Sequence, residues 1–176
     1  KYVSTRGTAA PVDFVQASLM GLAPDGGLFS PETFPQVERP SASATYVETA
    51  TRILSAFAGD SLPEGAIRGM VQRAYAPFAH QSVAPLVEVG PGRWMMELHH
   101  GPTLAFKDVA MRLIAQLYDH ILAARGERMT ILCATSGDTG GAAASAFAGS
   151  KHVDMVILHP LDRVSPTQRL FMTATG

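Results

Sequence analysis

The stretch MTILCATSGDTGGAAASAFA, residues 129–148, decides the fold of this chain. Its first six residues form a short, mainly apolar run, which is typical of a strand buried in a parallel sheet. A polar, glycine-rich loop is expected over residues 135–141, and the alanine-rich residues 142–148 indicate a helix. A strand, a loop and a helix in this order predict part of a βαβ arrangement.

The flanking segments extend the same alternation of strands and helices. Residues 93–98 have the pattern of a strand, and residues 153–158 repeat the strand signal. Residues 106–125 carry apolar side chains on one helical face, and Gly126 supplies a helix end. This β-α-β-α-β order predicts an α/β fold with part of a doubly wound parallel-sheet domain, in which ligands bind outside the carboxyl ends of the strands.

The N-terminal region consists of helical patterns and turns without a regular alternation of strands. We expect a helix over residues 13–20, a second from Thr45, and a third in which Ser61 and Glu64 have capping-box spacing. The sequence therefore predicts a small, mostly helical subdomain over residues 1–82. Residues 83–176 are expected to be the first, incomplete part of the α/β domain.

The composition narrows the classes of partner. The chain has 176 residues, of which 47% are hydrophobic and 16% charged. Its formal charge of −1 argues against binding to nucleic acid or to a membrane surface. No apolar stretch approaches the roughly 20 residues of a membrane span. The single Cys133 excludes an internal disulfide. We expect a cytoplasmic protein that binds a small molecule.

One lysine follows a strand-to-helix turn. Gly101 and Pro102 fix the turn, and the next residues carry the chain into a helix whose first turn contains or adjoins Lys107. The positive end of the helix dipole and burial both disfavour an ammonium there, and so favour the neutral amine that imine chemistry needs. The alternative is a surface lysine paired with Asp108.

The glycine-rich loop is a second candidate site. Free backbone N–H groups and hydroxyls at a helix start can surround a carboxylate or a phosphate. The loop has neither the Lys-Ser/Thr ending of a nucleotide P-loop nor the G-x-G-x-x-G spacing of a dinucleotide fold. Asp138 must face a donor or a cation, because a carboxylate otherwise repels a bound anion. The alternative is a flexible turn capped by Ser, Thr or Asp.

Five motifs occur in order along nearly the whole chain. They are YVSTRG (residues 2–7), GLAPDGGLF (21–29), ELHHGPTLAFKD (97–108), ATSGDTG (134–140) and HPLDRVSPTQ (159–168). Together they resemble the threonine synthase family, whose members are fold-type II pyridoxal-phosphate enzymes.

The resemblance implies roles for particular residues. Lys107 would form the Schiff base with pyridoxal 5'-phosphate, and Phe106 would lie in the cofactor pocket. Asp138 would lie near the 3'-oxygen of the cofactor. The other loop residues would hold the carboxylate of the amino-acid substrate: Thr135, Ser136, Gly137 and Thr139.

The resemblance also implies a reaction, the last step of threonine biosynthesis, in which a carbon-oxygen lyase converts O-phospho-L-homoserine and water into L-threonine and phosphate. The cofactor would serve as the electron sink and Lys107 as acid and base. The phosphate group needs cationic or hydroxyl partners, for which Ser4, Thr5, Arg6 and Lys151 are weak candidates. The loop for the cofactor phosphate and the hydroxyl partner of the pyridine nitrogen normally come later in the chain. A monomer or a homodimer is expected.

Three other polar residues are interpreted as structural. His99 and His100 are adjacent in an expected strand, so their side chains should point to opposite faces, and no further ligands stand at metal-site spacing. We therefore expect no metal site. Arg163 fits a solvated loop at least as well as a substrate clamp.

Two further functions stay open. One is a threonine synthase-like enzyme that keeps the cofactor but eliminates phosphate from a phospho-hydroxyamino acid without forming threonine. The other is a non-catalytic α/β module that binds an anion at its glycine-rich loop.

Overall fold

The computed structural model describes residues 1–174. The chain divides into two compact units, Lys1–Val71 and a second unit that begins at Gln72. This division comes earlier in the chain than the expected boundary between residues 82 and 83. Within residues 1–174, no helix is both long enough and apolar enough to span a bilayer.

The first unit contains short antiparallel strands and helices. In chain order its elements are β1 (Tyr2–Ser4), α1 (Phe14–Met20), β2 (Phe29–Pro31), α2 (Tyr46–Ala58), a 3-10 turn (Gly59–Ser61) and α3 (Glu64–Tyr75), which continues past the division. Strands β1 and β2 pair with each other. The three expected helices are present, whereas the strand pair was not expected.

Two of these helices begin at side chains that cap them. Asp13 accepts a 2.7 Å hydrogen bond from the Gln16 amide, and Thr45 accepts one from the Glu48 amide, each within a capping box. The expected box at Ser61 is wrong, because Ser61 lies in the 3-10 turn and α3 starts only at Glu64.

The second unit contains the remaining elements. They are β3 (Leu86–Gly90), β4 (Arg93–Met96), α4 (Asp108–Arg125), β5 (Met129–Ala134), α5 (Asp138–Phe147), β6 (Val153–Leu158) and α6 (Pro166–Thr173). Gly126 ends α4 in the left-handed conformation, as its position after the helical pattern predicts.

Strands β5 and β6 form a parallel pair, in register from Met129 opposite Val153 to Ala134 opposite Leu158. One face of the pair packs on helices α4 and α5. The buried cluster there contains Ala115, Leu122, Phe147 and Val153, with Ile131 and Met155 packed against it. This arrangement confirms the expected α/β architecture and places the residues after β5 at the carboxyl end of a parallel strand.

The structure departs from the expected order at two places. Among residues 1–174, β4 pairs only with β3, in an antiparallel hairpin, so β4 is not a member of the β5–β6 parallel ladder. Helix α5 begins at Asp138 and not at residue 142, so residues 138–141 of the expected loop are the first turn of a helix.

Candidate functional site

Lys107 lies at the junction between the loop after β4 and helix α4. It is the N-cap residue of α4, with φ −65° and ψ −20°, and its side chain is half-buried. The turn before it is tight: Leu104 has a positive φ of 62° and its amide donates to the Gly101 carbonyl at 3.1 Å. The expected position at a helix start is therefore observed.

Asp108 does not pair with Lys107. Its side chain is 1% exposed and accepts two hydrogen bonds from Thr103, one from the amide at 2.8 Å and one from the hydroxyl at 2.7 Å. Gly101 makes room for it, since a Cβ there would lie 2.8 Å from the Asp108 Cγ. The alternative of a surface Lys-Asp pair is thus wrong, because the carboxylate is used inside the turn.

The amine of Lys107 lies over an aromatic ring. Its Nζ is 4.3 Å from the centroid of Phe106, within the range of a cation–π contact, and the Phe106 side chain is 58% exposed. In the part of the chain that the structure describes, no carboxylate forms an ion pair with Lys107. Among the described residues, the amine therefore contacts an aromatic ring and no carboxylate.

The loop between β5 and α5 is built around Thr135. Its Oγ1 accepts hydrogen bonds from the amides of Gly137 and Gly140, both at 3.1 Å, which folds the loop onto the start of α5. Within residues 1–174, the amides of Asp138 and Thr139 have no protein acceptor. Two unpaired amides at the start of a helix provide donors for an anion.

A cavity of about 480 Å³ brings parts of the two segments together. It is lined by Thr103, Leu104 and Ala105 from the turn before α4, by Gly137, Asp138 and Gly141 at the start of α5, and by Ser165, Thr167, Gln168 and Phe171 of the α6 region. Lys107, Phe106, Thr135, Ser136 and Thr139 do not line it. The structure therefore brings Gly137 and Asp138 next to the turn that precedes Lys107, although Lys107 itself does not line the cavity.

Sequence reasoning missed the contribution of α6. Gln168 donates a 2.8 Å hydrogen bond from Nε2 to the Asp138 Oδ1. Ser165 caps the helix in a capping box with Gln168. The Ser-x-x-Gln spacing is visible in the sequence and predicts this cap, but it does not predict the bond to a residue thirty positions away.

The weak candidates for phosphate binding have other partners or are exposed. Ser4 donates to Asp25 at 2.7 Å, Thr5 accepts from the Leu28 amide at 2.9 Å, and Arg6 donates to the Asp25 carbonyl at 3.0 Å. Lys151 is exposed, and so is Arg163, for which a solvated loop and a substrate clamp were the two interpretations. The first three residues thus hold the turn around Asp25 in the first unit.

The expectation that the side chains of His99 and His100 point to opposite faces is wrong. The His99 and His100 rings stack with centroids 4.6 Å apart, because β4 ends at Met96 and strand alternation no longer applies. Donor atoms of Glu97, His99 and His100 all lie within 4.8 Å of one another. The His100 Nε2 is 2.8 Å from the Glu97 Oε2, so a hydrogen bond accounts for this pair without an ion.

The matching family model and the similar proteins below are described as threonine synthase or threonine synthase-like. Residues 1–75 match the family model described as Threonine synthase N terminus. The chain is similar to threonine synthase of Pseudomonas aeruginosa, with 44% identity over 98% of this chain and 38% of the relative, and to threonine synthase-like 2 of Xenopus laevis, with 38% identity over the same shares.

A solved structure agrees with these relatives. The crystal structure of PLP-bound threonine synthase from Brucella melitensis superimposes with a TM-score of 0.92 at 49% identity, over 98% of this chain and 38% of that chain. This chain therefore spans a little over a third of the length of the relatives that it matches.

Proposed function

We propose that the chain is the N-terminal portion of a threonine synthase family protein. It would carry the cofactor lysine and the amino-acid loop of an enzyme that converts O-phospho-L-homoserine and water into L-threonine and phosphate. The single observation that carries this proposal is the cavity between the turn that precedes Lys107 and the start of α5.

Lys107 is proposed to hold pyridoxal 5'-phosphate. Lys107 is half-buried at the start of α4, and its amine has no counter-charge among the described residues, which suits a lysine that bonds to a carbonyl carbon. The cofactor, when bound, supplies the electron sink for bond cleavage at the substrate's α carbon. Lys107 would then take up and return protons at the substrate carbons, and Phe106 would lie against the cofactor.

The loop after β5 is proposed to bind the substrate carboxylate. The unpaired amides of Asp138 and Thr139 offer donors there, and Ser136 adds an exposed hydroxyl. Gly137, whose own amide donates to Thr135, lines the cavity beside them. Thr135 already accepts two loop amides through its Oγ1, which leaves its hydroxyl proton for a ligand oxygen.

Asp138 is proposed to lie near the 3'-oxygen of the cofactor. Its exposed carboxylate borders the cavity at the first residue of α5. One of its oxygens is held by Gln168, and the other has no protein partner among residues 1–174. That second oxygen would be available to a protonated group of the ligand.

We also propose the organisation of the whole protein. Residues 1–82 would form the N-terminal subdomain, of which residues 1–75 match the family model, and residues 83–176 the first part of the cofactor domain. The protein would act in the cytoplasm as a monomer or a homodimer on a small-molecule substrate. The half-buried free thiol of Cys133 is compatible with a reducing compartment.

The proposal is tested on the full-length protein loaded with pyridoxal phosphate. We expect a visible absorbance from the lysine-linked cofactor that Lys107→Ala abolishes and that the matched control Lys151→Ala retains. Lys151 is a suitable control because it is exposed and lies after α5. An unchanged spectrum in Lys107→Ala would refute the assignment.

A second candidate is a threonine synthase-like lyase that releases phosphate without forming threonine; the chain is also 38% identical to a relative named threonine synthase-like 2 and not threonine synthase. Product analysis with O-phospho-L-homoserine separates the two functions. Appearance of threonine together with phosphate supports the first, and a 2-oxo acid with phosphate and no threonine supports the second.

A further inference from the structure

We propose that Gln168 is a positioning residue that turns Asp138 away from the anion-binding amides of α5 and thereby keeps them open for the substrate carboxylate. The inference rests on the proposed function of this loop. It concerns a residue of α6, which carries none of the roles assigned above.

The side-chain amide of Gln168 is held at both ends. Its Nε2 donates to the Asp138 Oδ1 at 2.8 Å, and its Oε1 accepts from the Ser165 hydroxyl at 3.1 Å and from the Ser165 amide at 3.3 Å. A flipped amide would place its oxygen against the Asp138 carboxylate and its NH2 against the Ser165 N–H. The orientation that gives Asp138 a donor is therefore the one that Ser165 selects.

The backbone of the loop is shaped to admit this amide. Gly137 has a φ of 148°, and a Cβ there would lie 2.8 Å from the Gln168 Nε2 and 2.9 Å from its Oε1. The side-chain amide thus lies directly against a position where only glycine leaves space. Gly137 is buried, whereas Asp138 next to it is exposed.

The hydrogen bond from Gln168 matters because Asp138 carries a negative charge. Asp138 is the first residue of α5, and a carboxylate there is attracted to the same unpaired amides that would bind a substrate carboxylate. A carboxylate free to rotate would compete with the substrate for those amides and repel it. The hydrogen bond from Gln168 fixes one oxygen of Asp138 and so reduces this competition.

Gln168→Glu is the sharpest test, because glutamate at this position preserves the capping box with Ser165 but cannot donate to Asp138. In the full-length, cofactor-loaded protein we expect the KM for the phospho-amino acid to rise about tenfold, as one charge-assisted hydrogen bond is lost. The kcat should stay within about twofold, since the lost interaction affects binding. Arg169→Gln, at the adjacent exposed position of α6, is the matched control and should leave both constants unchanged.

The double variant Asp138→Asn with Gln168→Glu reverses the direction of the hydrogen bond, because an asparagine at position 138 can donate to a carboxylate at position 168. In the Asp138→Asn background, Gln168→Glu should therefore leave the KM unchanged. If the tenfold increase in KM persisted in this background, Gln168 would act without Asp138 and the proposal would be overturned. A fall in kcat at constant KM would also overturn it, because Gln168 would then act on the chemical step.

A readout without activity separates this proposal from the proposed function. In the cofactor-free protein, hydrogen exchange at the Asp138 and Thr139 amides should slow in Gln168→Glu, as the released carboxylate moves over them, and should return to the original rate in the double variant. Equal exchange rates in wild type and Gln168→Glu would overturn the positioning role. Retention of the lysine-linked absorbance in Lys107→Ala would instead overturn the proposed function.

Discussion

The turn before Lys107 depends on one buried carboxylate, and its removal gives the most informative stability measurement. Asp108 is 1% exposed and accepts both the amide and the hydroxyl of Thr103. Replacing it with alanine leaves two buried donors of the turn without an acceptor. The start of α4, and with it Lys107, should be held less rigidly in this variant.

The magnitude follows from the two hydrogen bonds. Each buried donor left without a partner costs about 1–3 kcal/mol, so Asp108→Ala should lower the free energy of unfolding by about 3 kcal/mol. Asp108→Asn is milder, because asparagine can accept from the Thr103 amide and donate to the Thr103 hydroxyl oxygen. We expect a cost of about 1 kcal/mol for that isosteric change.

Urea denaturation of the full-length protein measures these costs, and hydrogen exchange of the Thr103 amide localises them to the turn. Asp154→Ala is the matched control: Asp154 also accepts hydrogen bonds, at 2.9 Å from Arg128, but it is 59% exposed. An exposed pair of this kind contributes about 0–1 kcal/mol. If Asp108→Ala cost no more than Asp154→Ala, or if Thr103 exchange did not change, the carboxylate would not hold the turn.

Two further measurements test other parts of the chain. The pKa of Asp25 lies well below its usual range, first because the Ser4 hydroxyl donates to it. The resulting stability is therefore complete above the unfolded-state pKa and is lost as the pH falls below about 4; Asp25→Asn should flatten this acid dependence in denaturation experiments, and an unaltered pH profile would contradict the argument. Gly65→Ala should stabilise α3 by about 0.5–1 kcal/mol because a Cβ there meets nothing within 4 Å. Gly140→Ala should destabilise the protein by about 1–3 kcal/mol, since the new Cβ would lie 2.6 Å from the Thr135 Cγ2. If Gly65→Ala and Gly140→Ala shifted the midpoint of thermal unfolding in the same direction, the packing argument would be contradicted.

Local signals predicted most of the helices and the parallel strands. The Asp13 cap and the left-handed Gly126 each act within one helical turn, so their residue types are sufficient to place a helix end. The segments of β5 and β6 are short and mainly apolar, and both strands appear with the expected bounds. In these elements the local preference and the tertiary packing agree.

Strand β3 was missed although its sequence contains a signal. Leu86, Val87 and Val89 precede a Gly-Pro-Gly turn, which is a hairpin pattern, but this segment directly follows the expected boundary between residues 82 and 83 and was not assigned a strand. The side chains of this hairpin are largely exposed within the second unit, so burial did not produce the alternation that identifies a strand.

The sequence predicted which residues belong to the candidate site but not which of them contact one another. Lys107 and the loop after β5 follow from turn chemistry at two helix starts, together with the family resemblance. Gln168 could not be assigned from the sequence, because its bond to Asp138 joins residues on different helices. Only the fold brings the start of α6 to the start of α5.

Asp108 and Asp138 show why residue type alone cannot assign these roles. Both are the first residue of a helix that follows a glycine-containing turn, a position that favours a carboxylate in either case. Asp108 turns inward because Gly101 leaves space and Thr103 offers two donors, whereas Asp138 stays exposed and meets a donor from α6. The same local preference therefore yields a buried structural carboxylate in one loop and an accessible one in the other. The two can be told apart experimentally: substitution of Asp108 should change stability first, and substitution of Asp138 should change ligand binding first.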